Sequence, residues 1–327
     1  MAAPPNIPRA LAATQSVSVV VPSFNHARFI EKCLRSIFRQ ELPPSELVVI
    51  DDGSSDDSPR IIERLLQQCP FPSELVARSN RGLSATLNEG LARTRGEYFA
   101  YLGSDDIWLP QFLSARVATF RARPRAVLAY GHAYSIDESD RIIDCTLDWA
   151  AYVDGDARRM LLTTLAPLSP TVLYKREAVE KYGWNENAAL EDYELYLRLS
   201  ADGDFAFDPR ILSAWRQHET NVSANATMMM NEKLAAQETV AAQLGFSRRE
   251  LEGFHAIAGF RSAQEFMRQG KKSQATSLAL KNRQGIQSAN EAARFLIGLV
   301  TPSSMLRWNT ERKRRNAALR YGNLTNP

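Results

Sequence analysis

Short apolar runs alternate with amphipathic stretches of helical length through residues 17–102, and this alternation limits the fold more than any other feature of the chain. Residues 17–21 (VSVVV) form a largely β-branched run of the kind buried on both faces in a parallel sheet. Asn25 can cap a following helix, in which Phe29, Ile30, Cys33, Leu34, Ile37 and Phe38 recur at three-and-four spacing and make one apolar stripe. Residues 47–50 read as a second buried strand that ends in the polar turn Asp51, Asp52, Gly53, Ser54. Pro59 fits the first position of the next helix after Ser58, with Ile61, Ile62, Leu65 and Leu66 as its stripe. The pattern continues with a strand over 75–77, a helix over 83–92 and a strand over 98–102, followed by Gly103, Ser104, Asp105 and Asp106. Such a βαβαβαβ order predicts right-handed crossovers and a parallel sheet whose ligands bind beyond the carboxyl ends of its strands. Both acidic turns fall at such ends.

Beyond residue 125 the pattern loosens. Residues 126–130 read as a strand, and 134–136 with 141–145 as a hairpin around 137–140. A short strand over 171–174, a helix from 175, a second over 191–201 and an apolar segment over 211–215 complete the body, while 151–164 has no clear period. The chain then turns helical in character, periodic over 234–244, 251–266 and 275–280. The expected organisation is a disordered leader at 1–15, an α/β domain over 16–223 and a helical, basic C-terminal region over 224–327.

Charge divides the chain in the same way. Residues 244–327 hold 15 Lys+Arg against 5 Asp+Glu, whereas 1–243 hold 25 against 32. No run reaches the ~18 apolar residues of a membrane span. The leader carries Pro4, Pro5 and Pro8 without the basic and apolar blocks of a signal peptide, so the protein is expected in the cytoplasm. There the glycosylation patterns at Asn221, Asn225 and Asn323 carry no meaning. Cys33, Cys69 and Cys145 are odd in number and lack metal-ligand spacing, as expected of reduced, packed thiols. The turn after the first strand (Val21, Pro22, Ser23, Phe24, Asn25, His26) has no glycine, and no G-x-x-x-x-G-K-[ST] occurs, which excludes the dinucleotide and P-loop folds.

What stands at the strand ends instead is V-S-V-V-V-P-S-F-N-H, then V-V-I-D-D-G-S-S-D, N-R-G-L-S-A-T-L-N-E-G and G-E-Y-F-A-Y-L-G-S-D-D. In that order they resemble the inverting glycosyltransferases of family 2, and two later segments agree. The resemblance covers residues 16 to about 223. It implies an α/β GT-A fold (Rossmann-like, of the nucleotide-diphospho-sugar transferases) with a mixed, mainly parallel sheet, whose N-terminal part holds a sugar nucleotide and whose C-terminal part holds the acceptor.

Asp51 and Asp52 cannot both be buried at a strand end without polar partners. By the resemblance, Asp52 accepts hydrogen bonds from the nucleotide base, Asp51 shares its donor-binding turn, and Pro22, Ser23 and Phe24 pack around that base. Adjacent carboxylates at the second acidic turn can hold a divalent cation against a diphosphate leaving group. The family's D-x-D falls on Gly103, Ser104 and Asp105, which makes Asp105 the metal ligand, Ser104 a donor-site residue and Asp106 a secondary candidate. Gly103 departs from the usual Asp, which contacts the ribose or a metal-bound water.

Glu191 and Asp192 begin a helix, where carboxylates complement the dipole without any catalytic role. The segment A-L-E-D-Y-E-L-Y-L-R-L is also similar to the family's E-D-x-x-L-x-x-R, whose Asp is the general base. Carried over, Asp192 takes the acceptor hydroxyl's proton, with Glu191 a secondary candidate. W-R-x-H-x-x-N-x-S at 215–223 is similar to the segment that closes over the diphosphate, so His218 completes the coordination of Mn or Mg and Arg216 pairs with phosphate. Arg81 either helps hold the diphosphate or is solvated before its glycine turn.

The basic tail offers two readings. Arg294, Arg307, Arg312, Lys313, Arg314, Arg315 and Arg320 surround residues 295–300, Met305, Leu306 and Trp308, a mixture suited to an anionic membrane surface through residues 294–320. The alternative is a helical appendage whose 295–300 segment packs on the body. Nucleic acid is not an expected partner, since the body is acidic and no binding module is present. The resemblance implies transfer from a nucleoside diphosphate sugar, UDP-linked by default, to a glycan or lipid-linked glycan acceptor in surface-polysaccharide synthesis. The alternative from another class is a non-catalytic sugar-nucleotide-binding scaffold on the same fold. A sugar nucleotidyltransferase would need a G-x-G-x-R-type loop after the first strand, which is missing.

Overall fold

The computed structural model describes residues 16–218 and 226–324. The expected leader and the 223/224 boundary fall outside these residues, as do the remaining positions of the segment that follows His218. The first half runs β1 (Val17–Ser23), α1 (Ile30–Phe38), β2 (Glu46–Asp51), α2 (Ser58–Leu66), β3 (Ser73–Ala77), α3 (Leu83–Arg93) and β4 (Tyr98–Tyr101). There follow β5 (Ile107–Trp108), α4 (Phe112–Ala122), β6 (Ala126–Ile136), β7 (Ile142–Cys145), α5 (Arg158–Leu162), β8 (Leu173–Lys175), α6 (Arg176–Tyr182), α7 (Glu191–Leu199) and β9 (Asp204–Arg216).

These strands form one sheet in the order β3-β2-β1-β4-β8-β6-β9-β5, with β7 beside β6. The β3-β2-β1-β4 half is parallel, and β6 pairs with β9 in parallel, while β8 joins the two parts antiparallel to β4 and β6. The fold is therefore α/β with a mixed sheet, of the GT-A kind. Both faces are covered, which is why the first strand is apolar at consecutive positions. Val19 and Val21 join Ile30, Leu34, Ile62 and Phe112 under α1, α2 and α4, whereas Val20 joins Leu87, Phe99, Tyr174 and Leu195 under the helices of the other face. Each such side chain contributes about 1.5–3 kcal/mol by leaving water.

Beyond the body lie α8 (Ala226–Val240), α9 (Arg248–Arg268), α10 (Lys272–Lys281), α11 (Ala289–Val300) and α12 (Ser303–Tyr321). Ser247 and Glu250 form a reciprocal capping box that starts α9. Val240 of α8 with Phe254 and Ile257 of α9 belong to the body's core, while Phe260, Phe266, Ala275 and Phe295 make a separate cluster. Helix α12 has no buried residue. Its far end returns to the body, where Arg320 pairs with Asp148 at 2.8 Å, Tyr321 Oη donates to the same carboxylate and Asn323 bridges to Arg141.

Several elements differ from the sequence expectation. The strand expected over 126–130 and the first arm of the hairpin are one 11-residue strand, β6. Gly131 permits this continuity, because a Cβ there would meet the Asp208 carbonyl at 2.4 Å and the Arg116 guanidinium at 2.5 Å. The segment over 211–215 belongs to the longer β9, which begins at Asp204. Helix α4 escaped notice since its buried face carries Arg116, fully buried and paired with Asp208 at 2.9 Å, so the apolar stripe is interrupted by a charge. The aperiodic 151–164 stretch holds the short α5, and Gly155 bridges to Phe205.

Candidate functional site

Parallel pairing sets Ser23 beside Asp51 and so brings the ends of β1 and β2 together. Asp51 closes its own turn, accepting from the Ser54 amide at 2.9 Å and from the Ser54 hydroxyl at 2.7 Å. Gly53 makes the turn possible: its φ is +80°, and a Cβ would meet the Asn80 amide nitrogen at 2.8 Å. The Asp52 amide donates to the Ser23 carbonyl at 2.8 Å. Its buried carboxylate accepts from the Arg78 guanidinium and, at 2.8 Å each, from the amides of Arg81 and Gly82. Three of the about four acceptor positions of that carboxylate are thus filled from within the chain. Asp52 therefore anchors the β3–α3 loop, and Arg78, which also binds Glu89 and Thr86, is the partner the sequence reading missed. Arg81 contributes its backbone; its exposed side chain lies 3.7 Å from Glu89. Pro22 and Ser23 are buried, the Ser23 hydroxyl has no hydrogen-bond partner among the described residues, and the Phe24 ring is half exposed beside them.

The second acidic turn lies after β4. Ser104 Oγ is 2.8 Å from Nδ1 of His26, and Asp105 Oδ2 is 2.9 Å from Nε2 of His218, while Asp105 Oδ1 stands 3.8 Å from His26. One ligand atom from each of His26, Asp105 and His218 lies within 4.8 Å of the others. Phe29 stacks on the His218 ring with centroids 5.5 Å apart, and the Arg216 guanidinium covers Phe29 at 4.8 Å. Burial holds the His26 imidazole below its ordinary pKa even beside Asp105, which favours the neutral, ligating form. Asp106 is buried and accepts the Arg216 amide at 2.8 Å; burial and then the Asp105 charge push its carboxyl well up.

His26 ends the first-strand motif, and the sequence alone assigns it no role. The signal was available: the chain has four histidines, and His26 and His218 follow strands of one sheet. A Cβ at Gly103 would lie 2.9 Å from Asp105 Oδ1 and 3.1 Å from Asp106 Oδ2, so a side chain would crowd the turn that His26 flanks from the other side. Arg216 requires a correction to the phosphate contact expected of it. Its side chain is fully buried, bonding the Asp105 and Asp137 carbonyls at 2.8 and 2.7 Å and pairing with Asp140 at 2.7 Å. It is a strut that fixes Asp105.

Glu191 and Asp192 open α7, with Leu195, Tyr196 and Leu199 buried below. Burial raises both carboxyls, and the Asp192 charge adds to the effect on Glu191, which is pushed up to about 8. The pair acts on the buried tyrosines Tyr101, Tyr174 and Tyr196, whose hydroxyls are kept protonated first by burial and then with the help of its negative charge. Lys233 of α8 supplies the nearby positive charge.

On α11, Phe295 is buried whereas Leu296, Ile297 and Val300 are 61%, 61% and 82% exposed, so the apolar segment divides between packing on the protein and facing outward. Met305 and Trp308 of α12 are also half exposed. No helix among the described residues is long and apolar enough to cross a membrane.

Residues 18–183, just over half of the chain, match the family model described as Glycosyl transferase family 2. An uncharacterised glycosyltransferase of Nostoc sp. is 30% identical over 169 residues, which cover 50% of this chain and 52% of that protein. Chondroitin synthase of Escherichia coli is 26% identical over 208 residues, 63% of this chain and 30% of the synthase. The matches thus span about half or less of these relatives. Among solved structures, S. aureus TarS in complex with UDP-GlcNAc aligns with a TM-score of 0.61 at 16% identity, covering 94% of this chain and 92% of that one. The mannosyltransferase PcManGT of Pyrobaculum calidifontis, in complex with GDP-Man and Mn2+, aligns with a TM-score of 0.59 at 18% identity, covering 93% and 86%. At these identities the two structures speak for the fold.

Proposed function

The chain belongs to glycosyl transferase family 2, and on that premise we propose that it is an inverting glycosyltransferase, moving a sugar from a nucleoside diphosphate sugar to a hydroxyl of a glycan or lipid-linked glycan. The observation that carries the reading is the cluster of His26, Asp105 and His218 at the carboxyl ends of sheet strands, in a chain that also opens a buried helix with a carboxylate pair. The division into a transferase body over 16–223 and a helical region over 224–327 is part of this proposal.

The donor lies across the ends of β1, β2 and β4. Phe24 offers an open ring to the base, the Ser23 hydroxyl is free to bond its edge, and Asp51, Asp52 and Arg81 shape the loop beside it. Ser104 is fixed by His26 next to the diphosphate. His26, Asp105 and His218 would hold the divalent cation; two imidazoles with one carboxylate suit Mn better than Mg, which prefers an all-oxygen shell. Such an ion supplies positive charge for the departing diphosphate. Asp192 accepts the acceptor hydroxyl's proton as that oxygen attacks the anomeric carbon from the opposite face, and a single displacement inverts the configuration. The raised carboxyl of the Glu191–Asp192 pair makes its conjugate base more basic than a solvated carboxylate.

The same proposal assigns the protein to surface-polysaccharide synthesis, with a UDP-sugar as the default donor, on the cytoplasmic side of the membrane. The outward side chains of α11 and the arginines of α12 are its contact with anionic lipid. A non-catalytic scaffold remains the second reading, and Gly103 is the feature that favours it. The deciding experiment measures binding and turnover of a panel of nucleotide sugars with Mn or Mg for wild type, Asp105→Ala and Asp192→Asn. Cation-dependent binding lost in the first variant, and turnover alone lost in the second, support the assignment. Absence of binding under every condition overturns the donor site; binding without turnover leaves the scaffold.

A further inference from the structure

The turn that joins β6 to β7, residues 137–141, is gripped from α1 and from β9. From α1, Lys32 pairs with Asp140, and Arg28 pairs with Glu138 at 2.7 Å. From β9, Arg216 bonds the Asp137 carbonyl at 2.7 Å and pairs with the Asp140 carboxylate at 2.7 Å. The same guanidinium bonds the Asp105 carbonyl at 2.8 Å, so the turn and the acidic ligand share one arginine. Asp140 has φ at +62°, a left-handed conformation that Asp and Asn adopt more readily than other residues with a side chain.

A third hold comes from the end of α12 and the residues after it. Strand β7 pairs with β6 along one edge and with residues 322–324 along the other. The Ile142 amide donates to the Gly322 carbonyl at 3.2 Å, the Leu324 amide donates to the Asp140 carbonyl at 3.0 Å, and Arg141 and Asn323 form the antiparallel bridge between them. Tyr321 and Leu324 also pack on Ile107, Ile136, Ile142 and Ala214. Ile107 directly follows the acidic turn of Asp105 and Asp106, Ile136 and Ile142 flank the 137–141 turn, and Ala214 lies two residues before Arg216. One apolar patch therefore underlies the three segments that meet around the Arg216 guanidinium.

We propose that residues 320–324 form a clasp that positions Asp105: when it is closed, Asp140 is held where it orients Arg216, and Arg216 fixes Asp105 opposite His218. The proposal rests on the reading of Asp105 as a cation ligand and adds residues that act on it from α12. Asp140, Tyr321 and Leu324 are positioning residues that work through Arg216. A ligand oriented in advance binds a cation more tightly than one that must first be ordered. The clasp is a surface contact of a helix that buries none of its side chains, so it can release while the sheet stays folded. Order in the cation cluster is thereby linked to the state of α12.

Hydrogen exchange of the metal-free full chain, read on peptides covering 103–107 and 137–142, tests the relay without any cation. Tyr321→Ala, and Leu324→Pro, which removes the amide donated to Asp140, are each expected to speed exchange about five-fold or more in both peptides and to leave β1 and β2 unchanged. Asp140→Asn keeps the left-handed backbone and removes the ion pairs; it should speed exchange at 103–107 while residues 320–324 exchange as in wild type. Mn affinity should fall about ten-fold in all three variants. It should hold in Leu319→Ser, an exposed change on the same helix, and recover in Tyr321→Phe, which keeps its ring on Tyr134. Faster exchange confined to 137–142 and 320–324, with 103–107 and Mn affinity unchanged, overturns the proposal and leaves the clasp a local brace of β7. A wild type that binds no Mn overturns the cation reading instead, and the exchange comparison still decides the clasp.

Discussion

Asp105 Oδ2 and Nε2 of His218 lie 2.9 Å apart although 113 positions of sequence separate the two residues. The contact joins the turn after β4 to the end of β9, and His26 completes a three-sided set around it. Removing one member of such a set changes metal affinity directly. Mn binding, followed by electron paramagnetic resonance, is expected to disappear in Asp105→Ala and to weaken at least ~10-fold in His26→Ala. Unchanged affinity in His26→Ala means that the histidine is only a partner of Ser104.

Restoring the usual aspartate of the family is expected to harm this protein. Gly103→Asp forces a side chain to within 2.9 Å of Asp105 Oδ1 and adds a third carboxylate to the turn. Mn affinity and melting temperature should both fall. A gain in either shows that the turn can open and that His26 is not a replacement for the missing carboxylate.

The Glu191–Asp192 pair gives a pH dependence with a definite sign. A general base works ionised, so kcat/KM should keep rising with pH above the ordinary carboxyl range, because burial raises the Asp192 carboxyl. Stability runs the other way. A carboxyl whose folded pKa exceeds its unfolded one favours the fold below the unfolded value, and that contribution is lost as pH rises through the folded value. Asp192→Asn should therefore cost about 10²–10⁴ in kcat with donor affinity kept, and should raise the melting temperature at pH 8 more than at pH 5. A melting temperature that shifts equally at both pH values removes the burial argument.

Arg116 and Asp208 form an ion pair inside the sheet–helix core. Replacing Arg116 by Met leaves Asp208 with only the half-exposed Arg210, and urea unfolding should show a loss of about 3–5 kcal/mol. A loss below 1 kcal/mol assigns the stabilisation to Arg210 instead.

Vesicle sedimentation tests the outward face of α11. Leu296→Ser, Ile297→Ser and Val300→Ser together change no buried side chain, so melting should hold while binding to anionic vesicles drops. Retained binding transfers the role to the arginines alone.

The parallel half of the sheet is legible because its strands are short, the inner ones β1, β2 and β4 are buried almost throughout, and the turns that follow have local chemistry. Asp51, Asp52 and Asp105 were found this way, each at a strand end. What escaped depends on contacts made across the chain. Arg78 is an ordinary surface-type residue until the fold lays it on Asp52, and His26 gains meaning only when β9 returns beside β4 with His218. Helix α4 hid behind a buried arginine whose partner is 92 positions away. The neighbours of Arg216 resemble a phosphate-closing segment, whereas its side chain is held by the loop that carries Asp137 and Asp140.

Helix α12 buries none of its side chains and is held at its far end by Arg320 and Tyr321 on Asp148, contacts that close 172 and 173 positions of chain. Releasing it breaks a few solvent-exposed bonds and exposes little apolar surface, so its opening free energy lies far below that of the sheet. Its amide protons should exchange with solvent well before those of β1, β2 and β4. Helix α12 therefore equilibrates on its own clock, largely independent of the sheet that carries the candidate site.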